Sequence, residues 1–260
     1  MHREGSQPNQ QTTLQKKISP QQPGTLFIVG VPIGHPDDIT IRALQILRQA
    51  DIVVSEDFAA TQAFLQHHGL SAILTSYGPR HLKEKVSVLI VRLRQGTRVA
   101  FVSDCGSPVI SDPGSLLIDA AHQQHIPVRS VPGPSAVIAA ISASGWSGDS
   151  FFFQGQIPDG TMQRKRWLAA TLKHTVPSIF FCPSESLTGA IETLARLNKS
   201  RQITAAYDLT TPRETIHKGT APQILKLISE MNPPSAVTII LEGRRARRKQ
   251  TTTTRKKPTP

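Results

Sequence analysis

Two acidic residues that could move or position a proton follow apolar runs in this sequence. Glu56 lies in SED (55–57) after DIVV, and Asp104 lies in SDCGSPVISDPG (103–114) after VAFV. A carboxylate at such a position can serve as a general base or orient a reacting hydroxyl. The adjacent Asp57 is better interpreted as the N-cap of a following helix. We therefore take Glu56 and Asp104 as the candidate catalytic residues.

The segment SDCGSPVISDPG also has the composition of a rigid loop that binds a ligand through its main chain. Its glycines permit backbone conformations that are closed to other residues, and its prolines stiffen the chain. We expect residues 104–110 to line a site, whereas Asp112 and Pro113 are better explained as the start of a turn or helix. VPGPSA (131–136) has the same character. Its Ser135 opens a helix, which suits either an N-cap or a polar ligand site.

The sequence lacks several common motifs of nucleotide-binding, hydrolase and metal sites. GVPIG (30–34) is neither GxGxxG nor a phosphate-binding loop with Gly-Lys-Ser/Thr, and Pro32 lacks a backbone N–H. A tight turn and a site for another ligand explain it about equally well. The serines have no G-x-S-x-G context for a hydrolase. The histidines, including the adjacent His67 and His68, show no HxxxH or HExxH spacing, so no metal is predicted.

The apolar runs predict that strands alternate with helices in the first half of the chain. TLFIVGV (25–31), DIVVSED (51–57) and RVAFVSD (98–104) have the length and β-branched content of buried strands. Amphipathic segments between them predict helices, the first of which is capped by Asp37 or Asp38. This order is typical of a mostly parallel sheet that binds ligands at the carboxyl ends of its strands.

The second half is also predicted to be α/β, and the polar stretch GWSGDS (145–150) is the candidate boundary. We divide the chain into a disordered polar tail, two α/β domains and a disordered basic tail, at 1–24, 25–146, 147–243 and 244–260. Eight Lys/Arg and no acid follow Glu242. Such a tail suits either solvation or contact with a polyanion, and the concentrated charge favours the polyanion.

The composition favours a soluble cytoplasmic protein with no membrane association. No apolar run has the length of a membrane span, and the polar N-terminus does not have the pattern of a secretory signal. The two cysteines, Cys105 and Cys182, are far apart. This suits a reducing compartment and excludes a cysteine-based zinc site or a disulfide framework.

The order of these motifs resembles one known family. Six segments are similar to the tetrapyrrole methylase superfamily over about residues 25–243, namely TLFIVGVPIGHPDDITIRAL, SED, VSDCGSPVISDPG, IPVRSVPGPSAV, FFFQGQIP and AVTIILEG. Within it they most resemble the branch of ribosomal RNA small subunit methyltransferase I, as a divergent member. DCGSP, FCPSESL and DLTTPRET depart from that branch's usual motifs, and the last is similar to the tetrapyrrole-methylating branches.

The resemblance implies a homodimeric, S-adenosylmethionine-dependent methyltransferase with two α/β domains and a cofactor cleft between them. Its expected reaction is the 2′-O-methylation of a cytidine in small-subunit (16S) ribosomal RNA. Two alternatives remain open. One is a methylase of a tetrapyrrole or another small molecule, and the other is a catalytically inactive family member that binds RNA.

The resemblance also implies which residues form the sites. The family's cofactor contacts correspond here to Ile33, Ser107, Ile110, Ser135, Ala136, Cys182, Leu209 and Ala236. Basic residues of the helix at 163–174 and of the C-terminal tail are expected to contact RNA phosphate, namely Arg164, Lys165, Arg166, Arg244 and Arg245.

Overall fold

The first half of the chain forms a sheet of five strands with helices between them. The computed structural model describes residues 22–78, 80–110, 114–147 and 149–244. The strands of this half are β1 (Leu26–Val29), β2 (Ile52–Ser55), β3 (Leu74–Ser76), β4 (Val99–Val102) and β5 (Val128–Val131). The helices are α1 (Ile41–Gln49), α2 (Phe58–His67), α3 (Leu82–Arg94), α4 (Ser115–Gln123) and α5 (Ala136–Ser144), with a 3₁₀ turn at Pro36–Asp38.

All pairings in this first sheet are parallel, in the order β3-β2-β4-β1-β5. Alternate residues of the apolar run in β4 are buried on opposite faces. Phe101 packs with Leu117 of α4, and Ala100 packs with Leu47 of α1. A strand covered on both faces reads as a continuous apolar run, which is why VAFV shows no alternation. The predicted mostly parallel sheet is confirmed for this half.

The second half forms a mixed sheet. Its strands are β6 (Phe152–Gln156), β7 (Ser178–Phe181), β8 (Gln202–Tyr207), β9 (Thr215–Thr220) and β10 (Val237–Leu241). Its helices are α6 (Thr161–Thr171), α7 (Ser184–Leu197) and α8 (Ala221–Glu230). The strand order is β6-β7-β10-β8-β9, and only the β6–β7 pair is parallel among these neighbours.

Helix α5 joins the two sheets. Its apolar residues Val137, Ala140 and Ile141 pack in one cluster with Ile179 of β7 and Ile240 of β10. This explains the run of small and apolar residues in the helix. One helix therefore belongs by sequence to the first half and packs against the second sheet.

The caps of the first two helices were predicted with mixed success. Asp57 is the N-cap of α2, and its carboxylate accepts a hydrogen bond from the Ala60 N–H at 3.0 Å, as predicted. The expected cap of α1 by Asp37 or Asp38 is wrong. Thr40 caps α1, because the two aspartates are held in the 3₁₀ turn that precedes it.

The predicted tails lie mostly outside the described residues, as do Asp112 and Pro113. Gly24 is an exception, since it is buried and its N–H donates to the Leu93 carbonyl at 2.7 Å. Gly24, which the predicted N-terminal tail included, is thus held against the end of α3. Within the described ranges, no helix combines the length and the apolar character needed to cross a membrane.

Candidate active site

The loops that follow β1, β4 and β5 meet at one edge of the first sheet. These strands are parallel neighbours, so their carboxyl ends point the same way. The Val31 N–H donates to the Gly106 carbonyl at 2.9 Å, and the Gly106 N–H donates to the Pro32 carbonyl at 3.2 Å. These two hydrogen bonds hold the loop after β1 against the loop after β4.

Two glycines let the β1 and β5 loops touch. A Cβ on Gly133 would lie 2.6 Å from the carbonyl carbon of Gly30, and a Cβ on Gly30 would lie 2.8 Å from the Cα of Gly133. No side chain fits at such distances. The first glycine of GVPIG and the glycine of VPGPSA are therefore needed for a close approach of two backbones.

A cavity of about 380 Å³ lies between these loops and the second sheet, and we call it the inter-sheet cavity. Its lining includes seven of the eight positions that the resemblance assigned to the cofactor, namely Ile33, Ser107, Ile110, Ser135, Ala136, Cys182 and Ala236. These positions lie far apart in the sequence and come from both halves. The structure thus brings them around one space large enough for a small-molecule ligand.

The eighth predicted cofactor position, Leu209, lines an adjoining cavity of about 320 Å³. Ile33, Ala136 and Ala236 line both cavities, so the two spaces are neighbours. Leu209 therefore lies near the other seven predicted cofactor positions but does not line the inter-sheet cavity.

The amino end of α5 offers polar groups to the inter-sheet cavity. Ser135 is the N-cap residue, but its side chain makes no capping hydrogen bond. The first N–H groups of a helix have no partner within the helix and carry a partial positive charge. Ser107 is less available, because its hydroxyl donates to the Pro134 carbonyl at 3.3 Å.

Cys182 contributes a neutral wall to this cavity. Burial raises the pKa of its thiol to about 12, so the thiol stays protonated at neutral pH. A thiolate nucleophile is therefore excluded at this position. Cys182 also continues the sheet, since its N–H donates to the Val237 carbonyl at 2.9 Å.

Asp208 is a functional candidate that the sequence did not single out. It is buried, and one carboxylate oxygen accepts from the N–H groups of Ser235 and Ala236 at 2.7 and 2.9 Å. The other oxygen pairs with Arg213 at 3.1 Å. The Asp208 carboxylate fixes the backbone of the loop that bears Ala236.

The two predicted catalytic carboxylates differ in what they face. Asp104 lines a third cavity of about 290 Å³, which lies at the ends of β1 and β4 and which we call the strand-end cavity. One Asp104 oxygen accepts from the Asp57 N–H at 2.9 Å. Glu56 is half-buried and is not among the residues that line these three cavities. Ile33 and Cys105 line both the strand-end and the inter-sheet cavity, so Asp104 lies close to the predicted cofactor positions.

The predicted RNA contacts need one correction. Arg164 is only 8% exposed, and its guanidinium donates to the carbonyls of Pro158 and Asp159 and to the Ser186 hydroxyl. It holds the loop before α6 and cannot reach RNA phosphate. Its neighbours in the basic run, Lys165 and Arg166, are exposed.

The tail positions are partly described. The side chain of Arg244 is exposed, and its N–H donates to the His174 carbonyl at 2.7 Å. Arg245 lies outside the described residues.

Comparison with known proteins decides the family. The model of the family Tetrapyrrole (Corrin/Porphyrin) Methylases matches residues 25–225, which is most of the chain. The chain belongs to the tetrapyrrole methylase family. Its enzyme class is therefore that of the methyltransferases, as the order of the motifs predicted.

Two named relatives of this methylase are ribosomal RNA methyltransferases. The chain is 34% identical to ribosomal RNA small subunit methyltransferase I of Thermotoga maritima over 221 residues. This aligned region covers 85% of this chain and 99% of that protein. The chain is also 34% identical over 227 residues to the protein of the same name from Escherichia coli O157:H7, covering 86% and 79%. Both matches support the branch that the motifs suggested.

The fold of the methylase has solved counterparts. The cobalamin biosynthetic enzyme cobalt precorrin-4 methyltransferase superposes with a TM-score of 0.63 at 21% identity, covering 84% of this chain and 94% of that one. At this identity the likeness establishes the fold and nothing about the substrate.

Proposed function

We propose that this methylase transfers a methyl group from S-adenosylmethionine to the 2′-hydroxyl of a cytidine in small-subunit (16S) ribosomal RNA. The names of the relatives support the RNA substrate. The structural observation that carries the proposal is the lining of a single cavity by predicted cofactor positions from both halves. The reaction at the ribose rests on the resemblance to the ribosomal RNA branch.

The inter-sheet cavity fits S-adenosylmethionine in size and character. Its lining is mainly small or apolar, as Ala136, Ala236 and Cys182 illustrate, which leaves room for an adenine and a thioether chain. The N–H groups at the start of α5, which the Ser135 side chain does not cap, favour a negatively charged or carbonyl group of the ligand. When bound, the cofactor supplies a methyl group on a sulfonium, which is a good leaving group.

Alignment is expected to provide much of the rate, since displacement of a good leaving group needs little further activation. A ribose hydroxyl is a poor nucleophile, so a base or an electrostatic partner should help. Asp104 is the better placed candidate. Its carboxylate is held at one oxygen by the Asp57 N–H and faces the strand-end cavity, where we place the acceptor ribose.

Exposed basic groups are proposed to hold the RNA backbone. Lys165 and Arg166 on α6 and Arg244 at the start of the tail are candidates, because electrostatic contact with phosphate needs exposed charge. Action on ribosomal RNA would place the protein in the cytoplasm. The homodimer expected from the family is also part of the proposal.

Two other functions are distinguished by what the protein binds and methylates. A small-molecule methylase would accept a tetrapyrrole. The similarity of the DLTTPRET segment to the tetrapyrrole-methylating branches favours this alternative. An inactive RNA-binding member need not bind the cofactor.

The proposal is tested by calorimetry with S-adenosylmethionine followed by transfer of labelled methyl to candidate acceptors. We expect one cofactor per chain and transfer to small ribosomal subunits that lack the modification. Transfer to a tetrapyrrole acceptor alone would support the first alternative. RNA binding without cofactor binding would support the second.

A further inference from the structure

Three side chains of types that bind transition metals converge outside the methyl-transfer site. They are Asp37 in the 3₁₀ turn, His67 at the end of α2 and His68 at its C-cap. One possible ligand atom of each lies within 4.8 Å of those of the other two. The turn and the helix end are about thirty residues apart in sequence, so the fold creates this group.

The distance between two of these groups already suits a shared ion. The Nε2 of His67 lies 3.5 Å from Oδ1 of Asp37. Two ligands of a tetrahedral zinc ion, each at 2.0–2.1 Å, lie about 3.3 Å apart. A small rotation of exposed side chains is therefore enough to bring both atoms to bonding distance.

The ring of His68 is oriented by its surroundings. Its Nε2 lies 3.2 Å from the Pro36 carbonyl, and its ring lies edge-on to Phe64 with centroids 4.8 Å apart. A carbonyl oxygen can only accept, so this contact is a hydrogen bond in the tautomer that carries the proton on Nε2. In the neutral ring the other nitrogen then carries the lone pair that a metal needs. Histidines that bind metals are commonly oriented by a backbone carbonyl in this manner.

We propose that Asp37, His67 and His68 bind a divalent transition-metal ion of the zinc type. Two imidazoles and one carboxylate are a donor set that suits zinc, and the exposure of the group leaves a position for water. This departs from the prediction of no metal, which relied on spacing along a single helix. A ligand from a separate turn leaves no such pattern in the sequence.

Metal binding would tie the 3₁₀ turn to α2 beside the strand-end cavity. Pro36 and Phe64, the residues that contact His68, both line that cavity. The ion would therefore stiffen one wall of the space in which we place the acceptor, whatever the acceptor is.

The test is a zinc titration of the full chain, free of any affinity tag, in competition with a chromophoric chelator. We expect one ion per chain, and a loss of affinity of about tenfold or more in His67→Ala and in the isosteric Asp37→Asn. Thermal unfolding of the wild type should shift upward on adding zinc, because the ion binds the folded state. That shift should disappear in both variants.

The matched control is His122→Ala, which removes an exposed histidine at the end of α4 near a second one, His125. It should leave the zinc affinity unchanged. Equal losses in His122→Ala and His67→Ala would show adventitious binding and overturn the proposal. Wild-type affinity in a folded His67→Ala variant would overturn it as well, and neither result would bear on methyl transfer.

Discussion

Asp104 and Glu56 have the same chemistry in the sequence and different surroundings in the fold. Both follow strands of the first sheet, which is why both could be proposed from the sequence. Asp104 follows β4, a central strand, and lines the strand-end cavity, whereas Glu56 follows β2. The two should therefore differ in their effect on the reaction.

Asp104→Asn should lower the rate of methyl transfer about 10²- to 10⁴-fold, with little change in the KM for RNA. The amide can still accept the hydrogen bond from the Asp57 N–H, so the loop should keep its position while the charge is lost. Single-turnover kinetics with bound cofactor measure this step directly.

Glu56→Gln is the matched control and should retain most of the wild-type rate. If Asp104→Asn transferred methyl at the wild-type rate, the proposed role of Asp104 would be wrong. A large loss in Glu56→Gln alone would move that role to Glu56.

In the run QRKRW, the local sequence does not show which basic side chain is buried and which are exposed. Arg164 looks like its neighbours Lys165 and Arg166, but only its side chain points inward, toward the loop before α6 and the Ser186 hydroxyl of α7. The groups that accept hydrogen bonds from Arg164 are brought to it by tertiary structure, so no residue pattern within the helix predicts them.

Arg164→Ala should lower the free energy of unfolding by about 3 kcal/mol, because a buried side chain is removed and two loop carbonyls and the Ser186 hydroxyl lose their donor. The double variant Lys165→Ala/Arg166→Ala should change it by less than about 0.5 kcal/mol. That double variant should instead weaken RNA binding and reduce its dependence on salt. Urea unfolding and RNA titrations at several salt concentrations separate the two effects, and the opposite pattern would contradict this assignment.

At the scale of elements, the sequence predicted which loops of the first sheet line the candidate site, because a parallel sheet has simple rules. The apolar runs predicted β1, β2 and β4, and parallel strands bring the loops that follow them to one edge. The prediction that SDCGSP and VPGPSA lie near a ligand site combines this rule with the glycine and proline content of the two segments. Their contact with Cys182 and Ala236 around one cavity required the fold of the whole chain.

The missed elements depend on pairing between distant segments. The segment that forms β9, TIHKGT, carries few apolar residues and is half exposed at the sheet's edge, so no apolar run predicts it as a strand. The strand exists because its backbone pairs with β8. Asp208 was missed for a similar reason, since its partners Ser235 and Ala236 lie in another loop.

Gly133→Ala tests the close approach of the β1 and β5 loops. The added Cβ would collide with Gly30, so we expect a loss of about 1–3 kcal/mol of stability and weaker binding of S-adenosylmethionine. Calorimetry and urea unfolding measure both. Gly78→Ala is the control, since its Cβ would meet nothing closer than the Ser76 hydroxyl at 3.7 Å. An unchanged cofactor affinity in Gly133→Ala would show that this loop does not shape the cofactor site.

At the scale of the molecule, the two halves are held together by more than α5. The His35 N–H donates to the Thr210 hydroxyl at 2.9 Å, and the Trp146 indole donates to the Thr204 hydroxyl at 2.9 Å. Lys218 donates to the Ser144 carbonyl and lies 3.5 Å from the centre of the Trp146 ring. These contacts fix the relative position of the walls of the inter-sheet cavity.

Stability should fall in alkaline solution because of two buried groups in the second sheet. Burial raises the pKa of Cys182 and of Tyr207 from 9.0 and 10.0 to about 12 each. The folded state therefore keeps protons that the unfolded chain releases. This stabilisation is fully present below about pH 9 and is lost as the pH rises toward about 12, at up to about 1.4 kcal/mol per pH unit for each group.

Urea unfolding at several alkaline pH values measures this loss, and the variants Cys182→Ala and Tyr207→Phe should each reduce its slope. Tyr207→Phe should also be neutral or stabilising near neutral pH, because the Tyr207 hydroxyl is buried without a hydrogen-bond partner among the described residues. The exposed Cys105 provides the control, and Cys105→Ser should leave the slope unchanged. Equal slopes in the wild type and in all three variants would contradict the assignment.

A ribose of ribosomal RNA is the methyl acceptor that we propose for this member of the tetrapyrrole methylase family. The most direct measurement is nucleoside mass spectrometry of small subunits incubated with the protein and labelled S-adenosylmethionine, beside the Asp104→Asn variant. We expect labelled 2′-O-methylcytidine at one position of 16S ribosomal RNA with the wild type and much less with the variant. Label on a base, or no label with a folded protein that binds the cofactor, would contradict the account.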